Sequence, residues 1–271
     1  MKNMKYFHIV AFLIALRLFS KFSPLIAIAF IFVYMLVIKY PTILYYIGNN
    51  RYSQSKFEDA NKYFEKMNRC VYAPIKLRVS YAYFLLLQGK VDKSEVLIKT
   101  IIKRDMNEAD KTNLNINYSL VMWKKNDLDK AIDILKKLYK TSKNTIIYQN
   151  LGYFLILKGD YNAALEFNLE ALDYNSSNSG IKDNLAQTYY YLGNYNKAIE
   201  IFSEVISENP TFATPYYYYA LTLIKKDNKE KAIEVLKKGL DCKFTPLSIT
   251  TKEDIEAKIF EVTESGTVQD L

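Results

Sequence analysis

The sequence predicts an all-α protein built from repeated helical hairpins and preceded by an apolar helical segment. Glycine (8) and proline (6) are scarce among the 271 residues, which leaves few tight turns for a barrel or a sandwich. Small residues return at a fixed interval, since Ala164, Ala198 and Ala232 are each 34 residues apart. The first forty residues are strongly apolar and contain no acidic residue. These observations favour stacked helices behind a membrane-anchoring segment.

The apolar segment contains two runs, residues 6–19 and residues 25–38. Ser23 followed by Pro24 predicts a helix start, because the serine side chain can cap free amides and proline has no amide hydrogen to lose there. Each helix is expected to contain about 17 residues and to measure about 25 Å. That length is just short of the apolar core of a bilayer, which is about 30 Å thick.

Three interpretations of this segment remain open. A secretory signal peptide needs a small-residue cleavage site, but Ala27 and Ala29 lie inside the second apolar run. Alternatively, the second run forms a single span and the first lies in the interface. We favour a helical hairpin that dips through the bilayer, with residues 1–40 as the anchor and residues 6–38 in contact with lipid.

Charge near the anchor predicts the side on which the repeats lie. If both ends of the hairpin are inside, Lys2, Lys5, Lys39, Arg51 and Lys56 face the cytoplasm, whereas only two basic residues of the hairpin turn lie outside. This agrees with the tendency of basic residues to stay inside and predicts a cytoplasmic repeat domain. For a single span, four basic residues precede the span and three follow it, so charge gives no orientation.

The net charge of +8 is concentrated in the anchor. Five of the 37 basic residues lie in the first forty positions, which leaves 32 basic and 29 acidic residues in the rest of the chain. There the two signs alternate, as in residues 225–231, which is typical of solvated helix faces. The sequence therefore does not predict nucleic acid as a partner.

From residue 41 onward the chain repeats one pattern: a small residue on a first helix, a turn with Gly, Asp or Asn, and an alanine on a second helix. The small residues predicted to sit where the paired helices approach are Gly152, Ala164, Ala186, Ala198, Ala220 and Ala232. The predicted turns are Gly159-Asp160, Gly193-Asn194 and Asp227-Asn228. Glycine accepts the left-handed backbone that ends a helix, and Asp or Asn caps the next helix.

This pattern resembles the tetratricopeptide repeat in both its period and its residue positions. The resemblance implies a tetratricopeptide-like α-solenoid of about six helical hairpins, with a membrane hairpin at the amino terminus and a capping helix at the carboxy terminus. The implied repeats are residues 41–74, 75–111, 112–144, 145–178, 179–212 and 213–246, and the pattern is most specific in the last three. Residues 247–271 form the predicted cap and tail, because Ile255, Ile259 and Val262 recur on one helical face.

The sequence predicts no catalytic site, metal or cofactor. His8 is the only histidine and lies in the apolar segment, so no Ser–His or Cys–His pair can form in the repeats. Cys70 and Cys242 are far apart and have no CxxC spacing, which argues against zinc. Phosphate-binding glycine loops are also absent from the sequence. We therefore expect neither an enzyme nor a small-molecule substrate, and an enzyme with an unfamiliar site is the least favoured hypothesis.

Candidate binding residues lie on the first helices of the repeats, which line the inner wall of such a solenoid. Asn117, Asn150 and Asn184 occupy the same place in three repeats, where an amide can both donate to and accept from a peptide backbone. The alternative is that asparagine at this place is common in the family whatever the ligand. The same wall is predicted to carry Trp123, Tyr153, Gln187, Tyr190, Tyr217 and Tyr218.

Two further assignments limit the prediction. Tyr189, Tyr216 and Tyr219 fall on packing positions, so only some of the tyrosines are available for binding. Repeat proteins of this family that bind chaperone tails use cations in the groove, but Thr214 and Tyr218 stand at two of those places here. The predicted function is a membrane-anchored scaffold or adaptor that binds an extended peptide segment of a partner protein. The alternative is a regulatory sensor that binds a small peptide signal.

Overall fold

A computed structural model describes residues 2–21 and 24–267, and within these ranges the chain forms 14 helices and no strand. The amino-terminal helices are α1 (Lys2–Lys21) and α2 (Pro24–Ser53). The next are α3 (Phe57–Arg69), α4 (Ile75–Leu87), α5 (Val91–Ile101), α6 (Glu108–Lys124) and α7 (Leu128–Tyr139). They are followed by α8 (Thr145–Leu157), α9 (Tyr161–Tyr174), α10 (Ser179–Tyr191) and α11 (Tyr195–Ser207). The last are α12 (Thr214–Lys225), α13 (Lys229–Gly239) and α14 (Lys252–Thr267).

The helices form consecutive hairpins, as the sequence predicts. The pairs are α2 with α3, α4 with α5, α6 with α7, α8 with α9, α10 with α11, and α12 with α13, and α14 follows the last pair. The described residues fall into two compact units. The first unit contains the residues up to 84 together with 93–114, and the second contains 85–92 together with the residues from 115 onward.

In the first unit, α1 packs against the amino-terminal half of α2 through small residues. Ala11 and Ala15 of α1 and Ala27 of α2 are buried, which allows two helices to approach closely. His8 Nδ1 and the Tyr34 hydroxyl are hydrogen-bonded across this pair. Most large apolar side chains on the other faces of the two helices are exposed.

The second helix is much longer than the 17 residues expected from its apolar run. It spans 30 residues, so it crosses the predicted boundary between anchor and repeats at residues 40–41 and serves as the first helix of the first hairpin. Pro41 lies inside it although proline cannot donate to the carbonyl four residues earlier. The helix continues because residues beyond Pro41, including Leu44 and Gly48, are buried against α3. Tertiary packing overrides the local tendency of proline to end a helix.

Each hairpin turns through one residue in the left-handed backbone region. The residues with positive φ at these turns are Ser55, Gly89, Asn126, Gly159, Gly193 and Asp227. In the last four of these turns the following Asp or Asn caps the second helix; for example, Asp160 accepts from the amide of Ala163, and Asn194 accepts from that of Lys197. Each turn contains a residue with the left-handed backbone, as expected. In three of the six turns this residue is not glycine, although glycine adopts that conformation with the least strain.

The carboxy-terminal helix α14 covers the last hairpin of the second unit. Ile255 is fully buried in a cluster with Tyr216, Leu236 and other side chains of α12 and α13. The helix begins with a reciprocal cap, because the Thr251 amide donates to Asp254 Oδ2 at 2.8 Å and the Asp254 amide donates to Thr251 Oγ1 at 3.1 Å. The capping helix expected from residue 251 is therefore present and extends to Thr267.

Candidate functional site

The candidate site is the face formed by the first helices of three successive hairpins in the second unit, α8, α10 and α12. We call this face the first-helix wall. It is continuous because α10 contacts both α8 and α12 directly. The intervening second helices α9 and α11 pack behind these contacts. Residues on the wall that are not used in packing are therefore presented side by side from different repeats.

Tyrosines of the first-helix wall form one connected cluster. Tyr190 and Tyr191 of α10 lie near Tyr218 of α12, with ring centroids 5.8 and 5.9 Å apart. The hydroxyls of Tyr191 and Tyr218 are 2.8 Å apart and hydrogen-bonded, which joins two repeats. Tyr217 packs edge-on against Tyr218, and Tyr161 of α9 stacks on Tyr191 at 4.7 Å. The cluster is partly accessible, since 38% of Tyr191 is exposed.

A buried polar pair lies on the same helix as these tyrosines. Gln187 Nε2 donates to Asp183 Oδ2 at 2.9 Å, and the two residues are 0% and 2% exposed. Asp183 Oδ1 and Gln187 Oε1 are buried and have no hydrogen-bond partner among the described residues. Burial raises the pKa of Asp183 well above its usual value, because a carboxylate is poorly solvated there. When Asp183 is ionised, the pair therefore offers two acceptors that no described residue uses.

The three asparagines predicted to bind a peptide are less accessible than expected. Asn184 is buried, and its Nδ2 donates to the backbone oxygen of Gln149 on α8 at 2.7 Å. Asn117 is also buried and has a partner within the chain, and Asn150 is half-buried. One N–H of the Asn184 amide is therefore used in packing between repeats. This contact is made within the chain and does not depend on a ligand.

The remaining predicted wall residues are placed by aromatic packing. Tyr153 of α8 is mostly buried and lies edge-on to Trp123 of α6, with ring centroids 6.0 Å apart. Trp123 is half-buried, and Lys124 Nζ lies 4.4 Å from its ring centroid. Burial raises the pKa of Tyr153, and a weaker contribution comes from the nearby carboxylate of Asp183. Tyr153 is thus a mostly buried ring rather than a displayed one.

The small residues assigned to packing lie between the paired helices. The alanines predicted for these places are fully buried, namely Ala164, Ala186, Ala198, Ala220 and Ala232. Gly152 is buried on α8, where a Cβ would lie 2.0 Å from Asn168 Oδ1 of α9. The assigned packing tyrosines also lie inward, since Tyr216 and Tyr219 are buried and Tyr189 is half-buried. These contacts hold the first helices in the register that builds the wall.

A second polar cluster joins α7, α8 and α9 away from the tyrosines described above. Glu170 Oε1 accepts from the hydroxyls of Tyr139 and Tyr148 at 2.5 and 2.8 Å, and from Lys143 Nζ at 2.9 Å. Hydrogen bonds from Tyr139 and then Lys143 lower the pKa of Glu170 to about 2. Each of these bonds stabilises the ionised carboxylate, so the cluster links stability to pH.

Glu170→Gln is expected to lower the free energy of unfolding by about 1 kcal/mol at pH 7, because the side chain is 44% exposed and water screens its contacts. Since the folded pKa is lowered, the contribution is complete above the unfolded value near 4.5 and is lost as the pH falls toward 2. Thermal unfolding should therefore separate the variant from the wild type at pH 7 and bring them together near pH 2. Glu166→Gln, an exposed carboxylate on the same helix, is the control and should show neither effect. A difference independent of pH would contradict this assignment.

Two functional candidates were missed by sequence reasoning, Asp183 and Tyr191. Asp183 precedes the asparagine of its repeat and lies one helical turn before Gln187, so a pair of polar residues at this spacing was available as a signal. Nothing in the sequence shows that both would be fully buried. Tyr191 is adjacent to Tyr190, and only the structure shows which tyrosine of the run reaches Tyr218.

No cluster of three or more His, Cys, Asp or Glu side chains is arranged to hold a metal ion in residues 2–21 and 24–267. In the same ranges, one helix, α2, is long and apolar enough to cross a membrane, and residues 8–19 of α1 form a shorter apolar stretch. Cys70 and Cys242 are not joined by a disulfide.

Comparisons with known proteins identify the repeat pattern. Residues 146–178 and residues 189–245 match family models that are both described as tetratricopeptide repeat. The chain is similar to a tetratricopeptide repeat protein from Parabacteroides merdae, with a TM-score of 0.68, 15% identity and coverage of 83% of this chain and 85% of that chain. The comparison with curated protein sequences gave no match.

A second solved structure shows the same fold. The chain is similar to a chain of the APC/C hetero-tetramer Cut9-Hcn1, with a TM-score of 0.66 and 15% identity over 93% of this chain. It covers 45% of that chain, so it spans about half of that protein's length. At this level of identity the likeness shows the fold, and it confirms the predicted all-α solenoid of helical hairpins.

Proposed function

We propose that this chain, which belongs to the tetratricopeptide repeat family, is a membrane-anchored scaffold whose first-helix wall binds an extended peptide segment of a partner protein. The family fold supports protein–protein interaction as the general function. The observation that carries the specific proposal is the tyrosine cluster of α10 and α12. Half-exposed tyrosine rings supply large contact areas at a low entropic cost, and their hydroxyls can bond a peptide backbone.

The position of the cluster favours an extended segment over a compact partner. Tyr191 and Tyr218 come from successive repeats. A further aromatic pair, Tyr153 of α8 and Trp123 of α6, lies in the two preceding repeats. A peptide laid across the first helices would meet one repeat after another. The asparagine ladder contributes less than the sequence suggests, because the Asn184 donor is already bonded to Gln149.

Selection of random dodecapeptides against the full chain in detergent micelles tests this proposal. A selected peptide carrying a photoactivatable benzophenone should crosslink to residues of α8, α10 or α12. The double change Tyr191→Ala with Tyr218→Ala should weaken its binding by about 100-fold, which corresponds to about 2.7 kcal/mol for two aromatic contacts. Tyr174→Ala removes an exposed, stacked tyrosine from the second helix α9 and is the matched control. Crosslinks confined to α11 and α13 would refute the proposal.

The anchor is supported by the surface of α1 and the first half of α2. Large apolar side chains such as Ile9, Phe12, Phe32 and Leu36 are about half exposed or more, which is unfavourable in water and favourable in lipid. Because α2 continues into the first hairpin, the repeats would be joined to the membrane through an unbroken helix. We propose that the repeats lie in the cytoplasm, as the basic residues flanking the hairpin indicate.

Alkaline carbonate extraction of membranes and a topology reporter test the anchor separately from the wall. We expect the full chain to stay with the membrane, and a chain lacking residues 1–40 to be released. A reporter fused after Leu271 that is active only in the cytoplasm should be active. Activity of a reporter that works only outside the cell would overturn the orientation and leave the peptide-binding proposal intact.

A further inference from the structure

Asp183 and Gln187 of α10 leave two buried acceptors unused. Their single mutual hydrogen bond occupies Asp183 Oδ2 and Gln187 Nε2, at 2.9 Å. Asp183 Oδ1 and Gln187 Oε1 accept no hydrogen bond from the described residues. A buried acceptor without a donor destabilises a fold, so such a group calls for an explanation. A ligand that brings donors would satisfy both oxygens.

The surroundings of this pair favour a positive ligand. Tyr153 of α8 and Tyr218 of α12 lie close enough to Asp183 for its charge to help raise the pKa of each hydroxyl, although burial is the larger cause. Tyrosine rings attract cations through the negative face of the ring. The basic residue nearest in sequence is Lys182, whose Nζ instead bonds Glu204 of α11 at 2.7 Å and Glu208, the residue after α11, at 2.8 Å.

The burial of Asp183 and Gln187 determines which kind of cation can reach them. Asp183 is 2% exposed, whereas the ring of Tyr191 on the same helix is 38% exposed. A peptide backbone lying on the tyrosines therefore reaches the carboxyl group only through a long side chain. Lysine and arginine carry their donors at the end of such a side chain, and its aliphatic part can pack against the rings.

We propose that the Asp183–Gln187 pair receives the ammonium or guanidinium group of a lysine or arginine side chain in the bound peptide. This inference rests on the proposed function, since it assigns one side-chain position of that peptide. The donors of the cation bond to Asp183 Oδ1 and Gln187 Oε1, and the rings of Tyr191 and Tyr218 flank its aliphatic stem. The wall is thereby selective for a basic residue at one register.

Binding of a cation at this place is coupled to a proton. Burial raises the pKa of Asp183 in the free protein, and a bound cation lowers it again by favouring the carboxylate. The titratable groups whose hydroxyls feel the charge of Asp183 are Tyr153 on α8 and Tyr218 on α12, and burial raises the pKa of both, so they stay neutral over the range in which carboxyl groups titrate. Peptide binding should therefore release a proton from Asp183, and affinity should increase with pH until the free carboxyl is ionised.

The experiment uses random dodecapeptides selected against the full chain in detergent micelles. We expect lysine or arginine to be enriched at one position relative to the input, and this preference to be lost with Asp183→Asn while preferences at other positions remain. In one selected peptide, replacing that lysine by norleucine should weaken binding to the wild type by about 10-fold, or about 1.4 kcal/mol, and to D183N by less than about twofold. Asp173→Asn, an exposed carboxylate of α9, is the control and should behave as the wild type.

The outcomes separate this inference from the function on which it rests. If peptides crosslink to the first-helix wall but norleucine binds as well as lysine, the cation site is refuted and the scaffold function stands. If no peptide crosslinks to the wall, the proposed function itself fails. Calorimetry of the wild type in buffers of different ionisation enthalpy needs no variant, and it should show release of a substantial fraction of a proton with the lysine peptide and none with norleucine. Equal proton release for both peptides would also refute the inference.

Discussion

Gly152→Ala is expected to lower the free energy of unfolding by about 3 kcal/mol, the upper part of the range for overpacked cores. An added Cβ would lie 2.0 Å from Asn168 Oδ1 and 3.3 Å from Asn184 Nδ2. Neither neighbour can move cheaply, because Asn168 donates to Thr188 Oγ1 at 3.1 Å and Asn184 donates to the Gln149 carbonyl at 2.7 Å. The added methyl group must therefore separate three helices, α8, α9 and α10. Chemical denaturation of the full chain in detergent micelles measures the loss.

A rescue and a matched control locate the cause of this loss. Asn168→Ala should recover part of the stability in the Gly152→Ala background, because it removes the atom that the new methyl group meets. Gly180→Ala is the control: its Cβ would meet only the end of the Gln149 side chain, at 2.4 Å, which can rotate away. We expect a change below about 1 kcal/mol for the control. If both alanines destabilise equally and Asn168→Ala rescues neither, the close approach of the helices is not the cause.

The repeat architecture could be predicted because its physical requirements leave marks at fixed positions in the sequence. Helices that nest closely need small side chains at the crossing, so Ala164, Ala198 and Ala232 recur at one interval. A reversal of direction after a helix needs a left-handed residue and then a cap, which Gly193 and Asn194 supply. Such local requirements act within a single repeat and can be recognised there.

Features that depend on contacts between repeats could not be predicted in the same way. The end of the apolar run at residue 38 indicated a boundary near residue 40, but burial of Gly48 against Phe64 keeps α2 helical to Ser53. The sequence predicted that Asn184 binds a peptide, because a side-chain amide can donate to and accept from a backbone. In the structure, close packing brings its Nδ2 to the backbone oxygen of Gln149 on α8 instead. Nothing in the sequence marks Asp183 as buried, and the structure places it in the interior. In each case the neighbouring helix decides the role.

Phe64→Ala is expected to lower the free energy of unfolding of the first unit by about 3–5 kcal/mol, as is usual for a buried phenylalanine. Phe64 is fully buried and stacks on Phe84 of α4 with ring centroids 4.8 Å apart. It also contacts Tyr45 of α2 at 5.8 Å and lies against Gly48. One side chain therefore holds the carboxy-terminal half of α2 to the first hairpin. Removing it leaves a cavity where the long apolar helix meets the repeats.

The expected readout is local, because each helical hairpin in a repeat array is stabilised mainly by its neighbours. In the variant, amide hydrogen exchange should become fast in α3 and in the second half of α2, while α8 to α13 keep their protection. Phe57→Ala, a half-exposed ring that contacts only Tyr52 closely among the aromatic rings described, is the matched control and should cost less than about 1 kcal/mol. A single transition in which all helices lose protection together would show that the hairpins unfold as one cooperative body. In that case the repeats and the apolar helix could not be separated energetically, and loss of Phe64 would impair peptide binding at the first-helix wall as well.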